Sequence, residues 1–100
     1  MSSMTMLRNL PFDRRRIEVR RKADHRFITS LLLTEATLYE AASIGQEGEM
    51  TLNIKQGIYI VYRFHHADVV ALRSEDRETR RAAARKASDF LLKNYPERRA

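Results

Sequence analysis

Seven basic side chains, Arg14, Arg15, Arg16, Arg20, Arg21, Lys22 and Arg26, crowd the stretch FDRRRIEVRRKADHR, which carries three acids, Asp13, Glu18 and Asp24. A guanidinium group presents paired, planar donors that match the oxygens of a phosphate or a carboxylate. The chemistry open to this stretch is therefore capture of an anion, either a nucleic-acid backbone or an acidic groove on another protein. The chain holds 15 Arg and 4 Lys, which suits bidentate contacts. A run of this kind is also the ordinary solvated surface of a helix. A second basic set, Arg77, Arg81 and Arg85, has the spacing i, i+4, i+8, with Arg73, Arg80 and Lys86 nearby. On a helix it makes a ladder of guanidinium groups at intervals of about 6 Å. Glu78 and Asp89 stand at pairing distance to neutralise part of that ladder.

Few other residues suggest chemistry. Tyr59 is a candidate for stacking on a base, and otherwise an ordinary strand residue. His65, His66 and Asp68 are close in sequence, but adjacent histidines point to opposite sides of an extended chain and no further ligand has a recognised spacing. No metal site is expected. Glu35 is the lone acid among apolar neighbours and reads as the partner of an Arg from a later helix. The chain has no nucleophile elbow, phosphate-cradling Gly loop, HExxH or paired catalytic acids. It is not expected to be an enzyme or to hold a cofactor.

With 100 residues, 43% hydrophobic and 32% charged, the composition is that of a single folded domain. The absence of cysteine excludes disulfides and thiolate metal sites and suits a reducing cytoplasm. The opening MSSMTMLRNLPF lacks the continuous apolar core of a signal peptide, and no segment reaches membrane-spanning length. A cytoplasmic protein with no membrane partner is the expectation. The net charge of +6 is uneven, since residues 1–26 carry +5, residues 27–64 carry −2 and residues 65–100 carry +3.

The elements that must position these side chains follow from periodicity. Residues 1–12 read as a disordered tail closed by Pro11. Asp13 is able to cap a helix running to Ile44, with Gly45 just beyond its end. On that helix Phe27, Ile28, Leu31, Leu32, Leu38, Tyr39 and Ala42 share a core face, whereas Arg20, Arg21 and Asp24 would intrude on it. Residues 13–26 are therefore expected to be a basic arm beside a domain of residues 27–95, either a helix that projects past the domain or an extended arm with Asp24 capping a shorter helix.

EMTLNIKQGIYIVYRF alternates apolar and polar residues and reads as a hairpin, with Lys55-Gln56-Gly57 as a three-residue loop and Ile54 opposite Ile58. That register sets Tyr59 beside Asn53, Val61 and Arg63 on the face away from the core. Val69 to Leu72 reads as a short third strand, with helix as the alternative. Ser74 then caps a helix whose apolar face is Ala83, Ala87, Phe90 and Leu91, with Ala84 and Tyr95 at its edge, and Pro96 opens a short tail, 96–100. The order α-β-β-(β)-α defines a small two-layer α+β domain, its helices packed on an antiparallel hairpin or a three-stranded sheet.

Two functional expectations of different class result. The first is a nucleic-acid-binding protein, for DNA or RNA, that contacts mainly phosphates through the arm at Arg14, Arg15, Arg16, Arg20, Arg21, Lys22 and Arg26, aided by Arg77, Arg81 and Arg85. The second is a non-enzymatic inhibitor or adaptor whose arm docks on an acidic groove of a partner protein. The Ala-rich second helix and Val61 also leave room for a homodimer.

Overall fold

In Arg16-Ile17-Glu18-Val19-Arg20 every second residue is apolar and β-branched, and this period of two makes a strand. In the computed structural model, which describes residues 15–96, that strand is β1 (Arg16–Arg21). A turn at residues 22–26 returns the chain into β2 (Phe27–Leu32), and two further strands follow, β3 (Met50–Gln56) and β4 (Tyr59–Arg63). The three helices are α1 (Glu35–Ala42), α2 (His66–Leu72) and α3 (Arg77–Asn94). Among the described residues the protein is an α+β domain with one antiparallel sheet of strand order β2-β1-β3-β4. The expected tail at 1–12, Arg14 and residues 97–100 lie outside the described residues.

The basic arm is thus not an appendage. Its core is β1, an inner strand hydrogen-bonded on both sides. Ile17 faces Leu31 on one neighbour and Ile54 on the other, and Val19 faces Thr29 and Leu52. Ile17 and Val19 are fully buried, beneath the helices that pack on this side. The helix expected from Asp13 to Ile44 fails because it would bring Arg20, Arg21 and Asp24 into the core sector, whereas a strand turns them away from Ile17 and Val19 or out to the strand end. With the helix gone, Phe27, Ile28 and Leu32 are exposed on β2, while Leu33, which the wheel left out, is buried. The β1–β2 turn is held by Asp24, which accepts from the Arg21 guanidinium at 2.9 and 3.1 Å and from the Arg26 amide at 3.1 Å. His25 takes a left-handed conformation there (φ 62°).

Only about the last quarter of the expected helix forms. Thr34 caps α1 through a reciprocal pair, accepting from the Thr37 amide at 3.1 Å while its own amide donates to the Thr37 hydroxyl at 2.8 Å. Leu38, Ala41 and Ala42 point into the core, and Gly45 follows the helix end at φ 72°. A Thr34→Ala variant is expected to lose about 1 kcal/mol of stability, read from urea unfolding with an unchanged m value.

Val69 to Leu72 belongs to α2 rather than to a third strand. Val69 and Leu72 are both buried, a spacing of three that a helix keeps on one face and a strand would split. The cap of α3 is Asp76, not Ser74, with the Asp76 carboxylate accepting from the Thr79 amide at 3.0 Å. Ala83, Ala84, Ala87 and Leu91 are buried as expected, whereas Phe90 and Tyr95 are partly exposed. These alanines pack inside the domain, so they offer nothing to a second copy.

The hairpin forms, but in another register. Its loop is two residues, Gly57 and Ile58, between the paired Gln56 and Tyr59, with φ +63° at Gly57. A bulge then skips Val61, since Lys55 faces Ile60 whereas Ile54 faces Tyr62. Beyond the bulge Tyr62 and Phe64 keep their expected core side. Before it the alternation is inverted, so Ile58 is exposed and Val61, expected on the outer face, is buried in the core.

Candidate functional site

Among the described residues the helices cover one face of the sheet and leave the other bare, and the strand registers specify which side chains lie on it. One row across the strands is Leu32, Arg16, Lys55 and Ile60; the next is Ser30, Glu18, Asn53 and Arg63; the third is Phe27, Arg20 and Thr51. Adjacent strands are about 4.8 Å apart and rows about 6.7 Å. Four cations, Arg16, Arg20, Lys55 and Arg63, and one carboxylate, Glu18, therefore share a patch of roughly 13 by 10 Å.

Hydrogen bonds and ion pairs tie Arg16, Arg20 and Lys55 to neighbouring groups on this face. The Arg16 guanidinium donates to the Ser30 hydroxyl at 2.7 Å and to the Ser30 carbonyl at 3.0 Å. Arg20 reaches the His25 carbonyl at 2.7 Å and Glu18 at 3.1 Å, and its guanidinium carbon lies 5.8 Å from the Phe27 ring centroid. Lys55 stands 3.6 Å from Glu18. Glu18 is buried beneath this canopy although no helix covers it. Burial pushes its carboxyl pKa up, but the hydrogen bond and charge of Arg20, the charge of Lys55 and a hydrogen bond with Asn53 outweigh that and hold it below the usual carboxylate value.

Glu18 thus acts as the counter-charge of Arg20 and Lys55. Because its folded pKa lies below its unfolded one, its contribution to stability is present above the ordinary carboxylate range and lost as pH falls through the folded value. A Glu18→Gln variant should therefore be less stable than the parent at pH 7, with the gap closing on acidification, as followed by thermal unfolding across pH. The same variant should bind polyanions several-fold more tightly at low salt, because it removes the patch's only negative charge.

The expected site residues separate into three groups. Arg16 and Arg20 lie on the bare face. Arg21, Lys22 and Arg26 lie at the β1–β2 turn, with Arg21 committed to Asp24. Arg15 is fully buried on the helix side, where it donates to the Gln56 side chain at 2.8 Å and to the Tyr95 carbonyl, so it locks the chain end rather than facing a ligand.

The ladder Arg77, Arg81 and Arg85 is exposed on α3, in the helical layer behind the sheet. Arg81 pairs with Glu35 at 3.6 Å, the neutralisation expected for that acid. Ladder and strand cations cannot therefore grip one flat ligand together. Tyr59 is 70% exposed, but its pairing with Gln56 puts it on the side of Ile54 and Arg15, away from Asn53 and Arg63. The structure adds Lys55 and Arg63 to the face, with Ser30, Thr51 and Asn53 as neutral hydrogen-bonding groups and Phe27 as the rim aromatic. The alternation in TLNIK and YRF already marked Lys55 and Arg63 as outward-facing, so the signal for them was present.

No family model matches the chain, and no curated protein or solved structure is significantly similar to it. Among the described residues no group of three or more His, Cys, Asp or Glu could hold a metal ion, and no helix is long and apolar enough to cross a membrane.

Proposed function

We propose that the protein binds the phosphate backbone of a nucleic acid across the bare face of its sheet. The observation that carries this reading is the array of Arg16, Arg20, Lys55 and Arg63, contributed by three strands to one uncovered face with a single buried carboxylate. Such an array suits negative charge spread over a distance, as along a strand of phosphates. A protein partner would normally find an apolar anchor cluster at the centre of its contact, and here the centre is Glu18, Asn53, Thr51 and Ser30. Contacts of this kind read backbone shape rather than base sequence, and Lys22 and Arg26 at the turn extend the path. In this reading the sheet face formed by β1, β3 and β4 takes the place of a projecting arm as the binding element.

The test is a titration of duplex and single-stranded DNA and RNA over a range of salt concentrations, with sheet variants and ladder variants run in parallel. Binding that ignores salt, or that weakens equally when Arg77, Arg81 and Arg85 are replaced, would overturn the proposal.

A further inference from the structure

Both outer strands of the sheet present backbone groups to the outside, and the chain treats the two edges differently. Leu33 donates its amide to the Arg15 carbonyl at 2.8 Å, so by antiparallel alternation the carbonyls of Ser30 and Leu32 point outward from β2. Both are taken. The Thr37 hydroxyl donates to the Leu32 carbonyl at 2.6 Å, and Arg16 holds the Ser30 carbonyl. At the other edge Phe64 donates to the Leu52 carbonyl at 3.1 Å, which turns the amide and carbonyl of Arg63 outward from β4, and on the other side of the bulge at Val61 those of Ile60, opposite Lys55, face outward too. No described strand lies beyond them. β2 has its outward carbonyls taken by side chains, whereas β4 is protected only by its shortness, Arg63 and the bulge at Val61.

A groove of about 420 Å³ runs beside this open edge, between β4 and α3. Its apolar floor includes Ile60, Tyr62 and Phe90, and its rim carries Arg63, His65 and Lys86. Phe90 is 41% exposed, with its ring centroid 5.2 Å from that of Tyr62. Asp68, 3.4 Å from Lys86, is the acid nearest the rim cations.

We infer that the edge of β4 and the groove beside it receive an extended, acidic peptide segment of another protein, which adds to the sheet as a fifth strand. The outward amides and carbonyls of Arg63 and, across the bulge, of Ile60 supply main-chain hydrogen bonds to the peptide. Side chains on one face of the peptide enter the groove beside Tyr62 and Phe90. Those on the other face lie beside Arg63, and carboxylates there complete its charge. A second copy is a poor occupant, because β4 against β4 brings Arg63 and Lys86 of each copy toward the other's. Residues 1–14 are also mismatched in charge, with two Arg and one Asp. This site shares Arg63 with the bare face, whereas Tyr62 and Phe90, on the helix side of β4, belong to it alone.

The experiment is fluorescence anisotropy of the full-length protein with a blocked octapeptide alternating glutamate and isoleucine. Saturable binding is expected, weakened at least about tenfold by Arg63→Pro and by Phe90→Ala. Proline at 63 removes an amide that points away from β3, so the β3–β4 ladder stays intact. Arg63→Gln, which keeps that amide, should show a smaller loss, and Arg16→Gln, on the bare face, none. Phe90→Ala keeps the test decisive should the proline variant misfold, since this ring is partly exposed. The inference is overturned by absence of binding, by equal binding of a lysine–isoleucine peptide, or by binding that ignores both variants. It is equally overturned if binding emerges only after residues 1–14 are removed, or if sedimentation shows self-association that Arg63→Pro abolishes.

Discussion

Replacing Arg16, Arg20, Lys55 and Arg63 together with glutamine is expected to lower affinity for duplex DNA or RNA by about a hundred-fold or more at 50 mM salt. Four phosphate contacts release about four counterions, so the parent's log–log salt slope should lie near −3.6, equivalent to about a hundred-fold between 50 and 200 mM salt. Each single glutamine should reduce the slope by about one and weaken all sequences alike. Glutamine retains some hydrogen bonding on the bare face but removes the counter-charges of buried Glu18, so the variant should be less stable than the parent, and circular dichroism checks that it is folded under the binding conditions. The triple variant Arg77→Gln, Arg81→Gln, Arg85→Gln should bind nearly as the parent does, because those groups sit behind the sheet. Equal losses in the two sets, or a parent slope near zero, would remove the bare face as the binding surface.

The second large effect is on stability. Ile17→Ala should cost about 2–5 kcal/mol and lower Tm by at least about 10 °C, because the side chain is fully buried between Leu31 and Ile54. Ile28→Ala, at the exposed edge strand, should cost less than about 1 kcal/mol. A helix running from Asp13 predicts the opposite order, with Ile17 on a solvated arm and Ile28 in the core. One pair of melting curves therefore discriminates the two folds, and a larger loss at Ile28 would reject the sheet described above.

What was legible in the sequence depended on which signal was strongest over a short window. The β3–β4 hairpin was visible because apolar alternation runs through TLNI and turn residues follow it. Its exact register was not, because the bulge at Val61 adds one residue that alternation cannot reveal. The last helix was visible from its alanines, its dipole-matched ends and Pro96. β1 was missed although Arg16-Ile17-Glu18-Val19-Arg20 alternates cleanly. The neighbouring arginines read as a solvated helix, and Phe27 to Leu33, apolar at both ends, fits a helical face as well as a buried strand.

For the candidate site, composition identified Arg16 and Arg20 but could not say which arginines share a face, since that depends on strand pairing. Arg15 shows the limit most plainly. It adjoins Arg16 in sequence, yet one step along a strand sends it to the opposite side of the sheet, into the core.

The strand order has a consequence for how the chain assembles as it is synthesised. β1 and β2 are joined by a five-residue turn and can pair with no help from later residues. β3 then adds to the free side of β1, and β4 to the free side of β3, so each strand meets an edge that already exists. None has to be threaded between two formed neighbours. The N-terminal basic hairpin is thus the seed on which the rest of the sheet can be laid down in order of emergence, and deleting residues before 27 would remove that seed rather than trim a tail.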